Sequence, residues 1–296
     1  MTGPDPAATG VAGNPPAWVP SSIEVERRAY RRRQTGTSVL IAAASTLVFA
    51  VAIWVLVIRS PGWEQVQDFF FNRDALIAAW PRVFEGLLLN LRVLFFAVIG
   101  VAILGLLLAA ARTIRGPIFF PLRFLAAAYT DVFRGTPLLI VLYLVGFGLP
   151  GLQIFPRMPM EFWGTIALIL TYSAYVSEVL RAGIEAVHPS QRMAARSLGL
   201  SHTKTMRLVV LPQAVRKVTP ALMNDLVAMQ KDVGLISVLG AVDAVRAAQI
   251  ETSALFNFTP YVLAGLLFVA IAFPLIRVTD WLTARQRRRE QLGAVV

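Results

Sequence analysis

The chain has 296 residues, of which 56% are hydrophobic and only 15% charged, a balance that excludes an ordinary soluble domain. It has no cysteine, which excludes disulfides and thiolate metal sites, and its two histidines, His188 and His202, are too few for a histidine-built metal centre. The net charge of +11 invites a nucleic-acid reading, which fails if the charges gather on one side of a membrane.

The first twenty residues carry five prolines and many Gly and Ala, a composition that predicts disorder. E-R-R-A-Y-R-R-R-Q follows at 26–34, just ahead of an uncharged apolar run at 38–58. Residues 1–37 are therefore read as a disordered, basic cytoplasmic tail. The run at 38–58 is too long, and its leader too extended, for a cleaved secretory signal, so it predicts a retained first transmembrane helix. Residues 59–85 then form an extracytoplasmic segment.

A bilayer core needs roughly 20 apolar residues as helix. Runs at 93–111, at 163–177 with its flanks, and at 252–276 meet that requirement. Two less uniform runs complete the set. One covers about 120–149 and is interrupted by Asp131 and by R-G-T-P at 134–137. The other covers about 213–240 and is interrupted by Pro220, Asp225 and K-D at 231–232. The prediction is an all-α integral membrane protein with six crossings, a core at 86–284 and a basic C-terminal tail at 285–296. Six crossings put both termini on one side. If that side is the cytoplasm, twenty of the 28 Lys and Arg lie in inside segments and five in outside ones. That asymmetry satisfies the positive-inside rule and accounts for the net charge without nucleic acid.

The longest inside segment contains a loop at 185–212. The Ser190 hydroxyl is placed to cap a helix over 191–198, and Gly199 is placed to end it in a left-handed conformation. Ser201 is placed to start a second helix, which Pro212 interrupts. Taken by itself, this helix–turn–helix is either a docking element or an interfacial helix that only binds headgroups.

Charges in the membrane interior are costly and tend to be functional. Lys231 and Asp232 either neutralise each other, pair with a neighbouring helix, or serve a zwitterion, Asp232 facing an ammonium and Lys231 or Arg134 a carboxylate. Gly135, Thr136 and Pro137 fit the second reading, since a helix interrupted there exposes backbone dipoles. Arg134 alone also fits a snorkelling arginine. Glu178 and Arg181, spaced i,i+3, read as a structural pair.

Several separated motifs stand in order: D-V-F-R-G-T-P-L-L at 131–139, A-Y-V-S-E-V-L-R-A-G-I at 174–184, and Q-K-D-V-G-L-I-S-V-L-G at 230–240. Between the last two, Ala194-Ala195, Gly199, Val209 and Leu211-Pro212 have the spacing of the so-called EAA loop. Together they resemble the polar amino acid permease family of ABC importers over about residues 84–285.

The resemblance implies a type I ABC importer permease in the bacterial inner (cytoplasmic) membrane. It implies no cofactor, a cytoplasmic ABC ATPase dimer, a second permease that is identical or homologous, an extracytoplasmic amino-acid-binding protein, an amino acid substrate and surrounding lipid. It assigns ATPase coupling to Ser190, Met193, Ala194, Ala195, Arg196, Gly199, Leu211 and Pro212. In the family this short helix seats in a groove of the ATPase. Arg192, Arg196, Lys204 and Arg207 are then placed to face carboxylates of that partner. The substrate pathway falls to Arg134, Gly135, Thr136, Pro137, Lys231 and Asp232.

Three departures stand out. Met193 replaces a Glu that would complete a capping box with Ser190. Val141 replaces a Gln, and Val233-Gly234 replaces Thr-Ser. No phosphate-binding G-x-x-x-x-G-K-[ST] loop and no nucleophile set occurs, so the chain is expected neither to hydrolyse ATP nor to act as an intramembrane enzyme. The alternative function is an ion-gradient-driven secondary amino acid transporter. A non-transporting scaffold would leave Lys231 and Asp232 unexplained.

Overall fold

The computed structural model describes residues 21–114 and 116–293, and among these the regular structure is helical with no strand. The chain divides into two compact units, with the boundary between Gln65 and Val66. The first unit holds α1 (Ser22–Ile53), continued by a π-helical turn at Trp54–Ile58. Residues 22–37, expected to be part of a disordered tail, are therefore helical. The Ser21 hydroxyl caps the start by accepting from the Glu24 N–H, and Glu, Arg and Ala supply good helix formers. Residues 1–20 of that tail lie outside the described residues. The apolar part of α1 stands exposed along its length, as a lipid-facing helix does.

The second unit runs from within α2 (Trp63–Phe70) through α3 (Arg73–Thr113), α4 (Phe120–Gly135), α5 (Leu138–Tyr143), α6 (Leu149–Gly151) and α7 (Met160–Glu185). It continues through α8 (Pro189–Ser197), α9 (His202–Thr205), α10 (Leu211–Asp232), α11 (Ala244–Leu255) and α12 (Thr259–Gly293). At its centre α7 packs against α3, α10, α4 and α5. A methyl group at Gly100 or Gly105 of α3 would press into Ile169 or Val176 of α7. Hydrophobicity does not drive helices together in lipid, so small residues that allow close approach do much of that work. One core joins Val93, Ala97 and Val101 of α3 to Leu142, Leu168 and Ile236. A second joins Ala79, Val83 and Leu87 to residues of α11 and α12.

Among the described residues, four helical runs are long and apolar enough to cross a membrane: Gln34–Ile58, Trp63–Thr113, Met160–Glu185 and Thr259–Gln286. Two further helix pairs pass the same test but are bent, by 108° between Gly135 and Leu138 and by 54° between Leu239 and Ala244. Counting each bent pair as one crossing gives up to six. The run at about 120–149 is thus two helices meeting near a right angle.

Three more sequence boundaries move. The run at 252–276 is not continuous: Phe256 takes a left-handed conformation (φ 52°) that ends α11, and α12 starts at Thr259. Pro220 lies inside α10 without ending it, and α10 stops at Asp232, where a 3-10 turn takes over at Val233–Leu239. The basic tail at 285–296 continues α12 as far as Gly293, and 294–296 lie outside the described residues.

The second bend is fixed by one buried amide. Asn90 of α3, 2% exposed, donates to the Val233 carbonyl at 3.1 Å and to Asp243 Oδ2 at 3.0 Å. Its Oδ1 accepts from the Ala244 N–H at 3.0 Å. The other Asp243 oxygen caps α11 by accepting from the Arg246 N–H at 2.8 Å. One turn earlier on α3, a side chain at Gly86 would strike the Asp243–Ala244 backbone, so only glycine lets α11 come this close. Asn90→Leu keeps the volume but strands Asp243 Oδ2 and the Ala244 N–H. It is expected to destabilise the protein by about 1–3 kcal/mol. The check is a drop in the thermal unfolding midpoint in detergent; an unchanged midpoint would refute the clasp.

Candidate functional site

Two polar sites are built on the second unit. The first lies where α4 and α10 meet α7. On α7, Tyr172, Tyr175 and Glu178 recur at i, i+3 and i+6, so they share one face. The Tyr172 hydroxyl donates to Asp232 Oδ2 at 2.7 Å, tying α7 to the end of α10. The Tyr175 hydroxyl donates to the Arg134 carbonyl at 3.3 Å, and the Arg134 guanidinium lies 5.9 Å from the Tyr175 ring centre. The two tyrosine rings are 6.1 Å apart. Residues 98 positions apart in the chain, Arg134 and Asp232, are thereby linked through Tyr172 and Tyr175.

Gly135, Thr136 and Pro137 form the sharp bend between α4 and α5. Gly135 ends α4, Thr136 is extended, and the Thr136 hydroxyl turns back to the Val132 carbonyl at 2.8 Å. Lys231 does not join the set. It is exposed and makes no ion pair with Asp232, so the mutual neutralisation allowed by the sequence does not occur. Asp225, two turns before Asp232 on α10, has an Oδ2 that is sealed from solvent and without a hydrogen-bond partner.

Beside this face Glu178 collects cations. Arg112 of α3 meets it at 2.6 Å, Arg181 at 2.5 Å and Arg134 at 4.0 Å. Arg181 also reaches Glu185 at 2.5 Å. The expected Glu178–Arg181 pair is therefore present, but as part of a network joining α3, α4 and α7. Sequence reasoning missed Arg112, Tyr172 and Tyr175. The i, i+3, i+6 recurrence on an apolar helix was the available signal for the tyrosines; nothing local marked Arg112.

The departures Val141 and Val233 do not line this site. They are 4% and 1% exposed and sit in the main apolar core. Gly234 abuts Phe268 and Val245. The hydrogen-bonding groups missing at these positions are missing from packing, not from the polar face.

The second site is the α8–α9 hairpin. Its entry differs from expectation: His188, not Ser190, caps α8, with Pro189 in the first turn and His188 Nδ1 accepting from the Ser190 N–H at 3.2 Å. Proline needs no hydrogen-bond acceptor at that position, which favours the earlier start. Met193 therefore lies two residues past the capping-box position, which Gln191 occupies, and is 62% exposed. The exit is as expected. Gly199 has φ 82°, its N–H bonds the Arg196 carbonyl at 2.9 Å, and the Leu200 N–H bonds the Ala195 carbonyl at 3.2 Å. Ser201 caps α9 through the Lys204 N–H at 3.3 Å. Pro212 does not interrupt the chain: a π-helical turn at Met206–Val210 runs directly into α10, whose first turn holds Leu211 and Pro212.

Val187, Val210 and Ala214 form a small buried cluster that seats the hairpin on the ends of α7 and α10. Ala195 is buried on the inner face of α8, whereas Ala194, Arg196 and Leu198 are exposed. Arg192 turns inward and donates to the Ile184 carbonyl.

The chain resembles known proteins across this region. The profile of the family described as "Binding-protein-dependent transport system inner membrane component" matches residues 102–288. The arginine transport system permease protein ArtQ of Bacillus subtilis is 37% identical over 200 residues, 67% of this chain and 89% of that one. A putative glutamine transport system permease protein GlnP of Rickettsia conorii is 39% identical over 65% of this chain and 88% of its own length. A crystal structure described as an amino acid ABC transporter with histidines aligns with a TM-score of 0.64 at 35% identity, covering 72% of this chain and 96% of that one. A methionine ABC transporter, MetNI, aligns at 18% identity with a TM-score of 0.51, a likeness of fold alone. The motif order read along the sequence, the helical core and these matches agree, and the chain belongs to the family of inner membrane components of binding-protein-dependent transport systems.

Proposed function

We propose that this chain is the permease subunit of an ATP-driven ABC importer for polar amino acids, in a bacterial cytoplasmic membrane. The observation that carries the reading is the Arg134–Tyr175–Tyr172–Asp232 chain of contacts, a cation and a carboxylate held on one face of α7 beside the helix break at 135–137. Such a face suits a zwitterion: the carboxylate attracts an ammonium, and guanidinium and tyrosine groups accept the other end. Names of the relatives support amino acids as the cargo class.

In this reading the α8–α9 hairpin docks on a cytoplasmic ATPase dimer. The exposed Met193, Ala194 and Leu198 present an apolar edge for it, with Arg196, Lys204 and Arg207 around them. Ser190, Ala195, Gly199, Leu211 and Pro212 shape the hairpin rather than touch the partner. A second permease, identical or homologous, closes the pathway, and an extracytoplasmic binding protein delivers substrate. Both termini lie in the cytoplasm. Lys231, exposed at the end of α10, adds a cation to the pathway.

Three outcomes are expected in proteoliposomes containing the assembled importer and its binding protein. Uptake should stop when the ATPase is hydrolysis-dead; uptake that survives this but collapses with an ionophore would establish a secondary transporter instead. Asp232→Asn keeps the volume and removes the charge, and should lower uptake roughly ten- to a hundredfold while basal ATP hydrolysis continues, the range expected for losing one charged hydrogen bond. Wild-type uptake by this variant would take Asp232 out of the pathway. Gly199→Val forces a β-branched residue into the left-handed region at a cost of about 1–2 kcal/mol. It should weaken co-purification of the ATPase or its stimulation by loaded binding protein. Normal values for both would refute the docking assignment.

A further inference from the structure

A cleft of about 760 Å³ opens between the residues that follow α3 and the α8–α9 hairpin. Arg112, Arg123, Arg192 and Arg196 line it, with Ile184 and Met206 as apolar neighbours. The one carboxylate on its wall, Glu185, is already paired with Arg181. Two polar atoms at this cleft are sealed from solvent and have no hydrogen-bond partner: Arg192 Nε and Thr205 Oγ1. Thr205 is itself 4% exposed. Sealed polar atoms without partners are costly, and their occurrence together points to a ligand.

Three of the four arginines are held in place before any ligand arrives, and Arg196 is exposed at the edge of the cleft. Arg192 is anchored by the Ile184 carbonyl, and Arg123 by the carbonyls of Ile114 and Gly116 at 3.1 and 2.7 Å. Arg112 is anchored by Glu178 at 2.6 Å. A fixed group of guanidiniums beside a wall that includes Thr205 suits a phosphate better than it suits a lone carboxylate.

We propose that this cleft seats the headgroup of an anionic phospholipid, its phosphodiester held by Arg192, Arg196 and Thr205. Location and lining select the lipid among phosphates. Arg112 is in the last turn of α3 and Ile184 in that of α7, so the cleft opens where two membrane-crossing helices end. A soluble anion has no use for the apolar wall of Ile184 and Met206, whereas a lipid lays its glycerol and upper acyl chain there. Basic pockets at the cytoplasmic ends of transmembrane helices recognise acidic headgroups in this way. The occupant would also wedge against α8, so the bound lipid would support the hairpin that the proposed ATPase engages.

The test uses the assembled importer, purified in mild detergent, exchanged into phosphatidylcholine nanodiscs and titrated with phosphatidylglycerol. Native mass spectrometry counts the lipid retained. Arg192→Gln should weaken retention about fivefold, the loss expected for removing one cation near an anionic headgroup. Thr205→Val preserves shape and removes only an unpaired hydroxyl. It should also weaken retention, while the thermal midpoint of the lipid-free complex stays equal or rises. Lys204→Gln, on the same hairpin but outside the cleft, should retain lipid as the wild type does. The proposal is overturned if both cleft variants retain lipid normally, or if inorganic phosphate displaces the lipid as well as added phosphatidylglycerol does. It is also overturned if Arg192→Gln lowers ATPase co-purification with the lipid count unchanged, which would make a carboxylate of the partner the true occupant. Uptake is not the readout, so failure here and failure of the transport reading remain separable.

Discussion

A carboxylate near the end of a membrane-crossing helix must find cations, and Glu178 finds three, on α3, α4 and α7 itself. Much of the architecture follows from that demand. Satisfying Glu178 requires Arg112 to end α3 beside α7 and Arg134 to end α4 there, just before the chain turns through 108°. The Arg134 carbonyl at that turn accepts from the Tyr175 hydroxyl. The polar face of α7 and the helix break beside it are thus joined by one network. Charges inside a low-dielectric region are expensive alone and tolerable only when paired, so the network holds the three helices to one arrangement.

Close packing carries the remainder. Gly100 and Gly105 let α3 lie against α7, and Gly86 lets the start of α11 lie against α3. At that last contact Asn90 meets the hydrogen-bonding needs of the α10–α11 connection, which has no water to turn to. Irregular backbone at membrane depth survives where protein groups satisfy it. Asn90 and Asp243 do so here, which explains why a polar amide sits in the middle of an apolar helix.

The hairpin beside the membrane uses different physics. Its conformation is set locally, by His188 and Ser201 at two helix starts and Gly199 at a helix end. Its seat is a small apolar cluster of Val187, Val210 and Ala214. Its charges divide by direction. Lys204 and Arg207 are exposed away from the cleft, Arg196 is exposed at its edge, and Arg192 turns inward to a carbonyl and to the basic cleft. The sequence shows a row of equivalent cations; the fold sorts them into two surfaces with different partners.

Several features were determined by the sequence alone, because they depend on local or periodic chemistry. Long uncharged runs had to be membrane helices. Gly199 and Ser201 had to shape the hairpin, since a left-handed turn and a hydroxyl cap are decided within a few residues. Ordered motifs placed the family. Tertiary structure decided the rest. It broke the uniform run at 252–276 at Phe256, kept Pro220 inside a helix, and moved the cap from Ser190 to His188. It also chose the partners of the charges. From spacing, Lys231 is the natural mate of Asp232, yet neighbours in a helix point about 100° apart. Asp232 instead faces Tyr172 of α7 while Lys231 faces outward. No local pattern carries that information, because the choice is made by which helix packs against which.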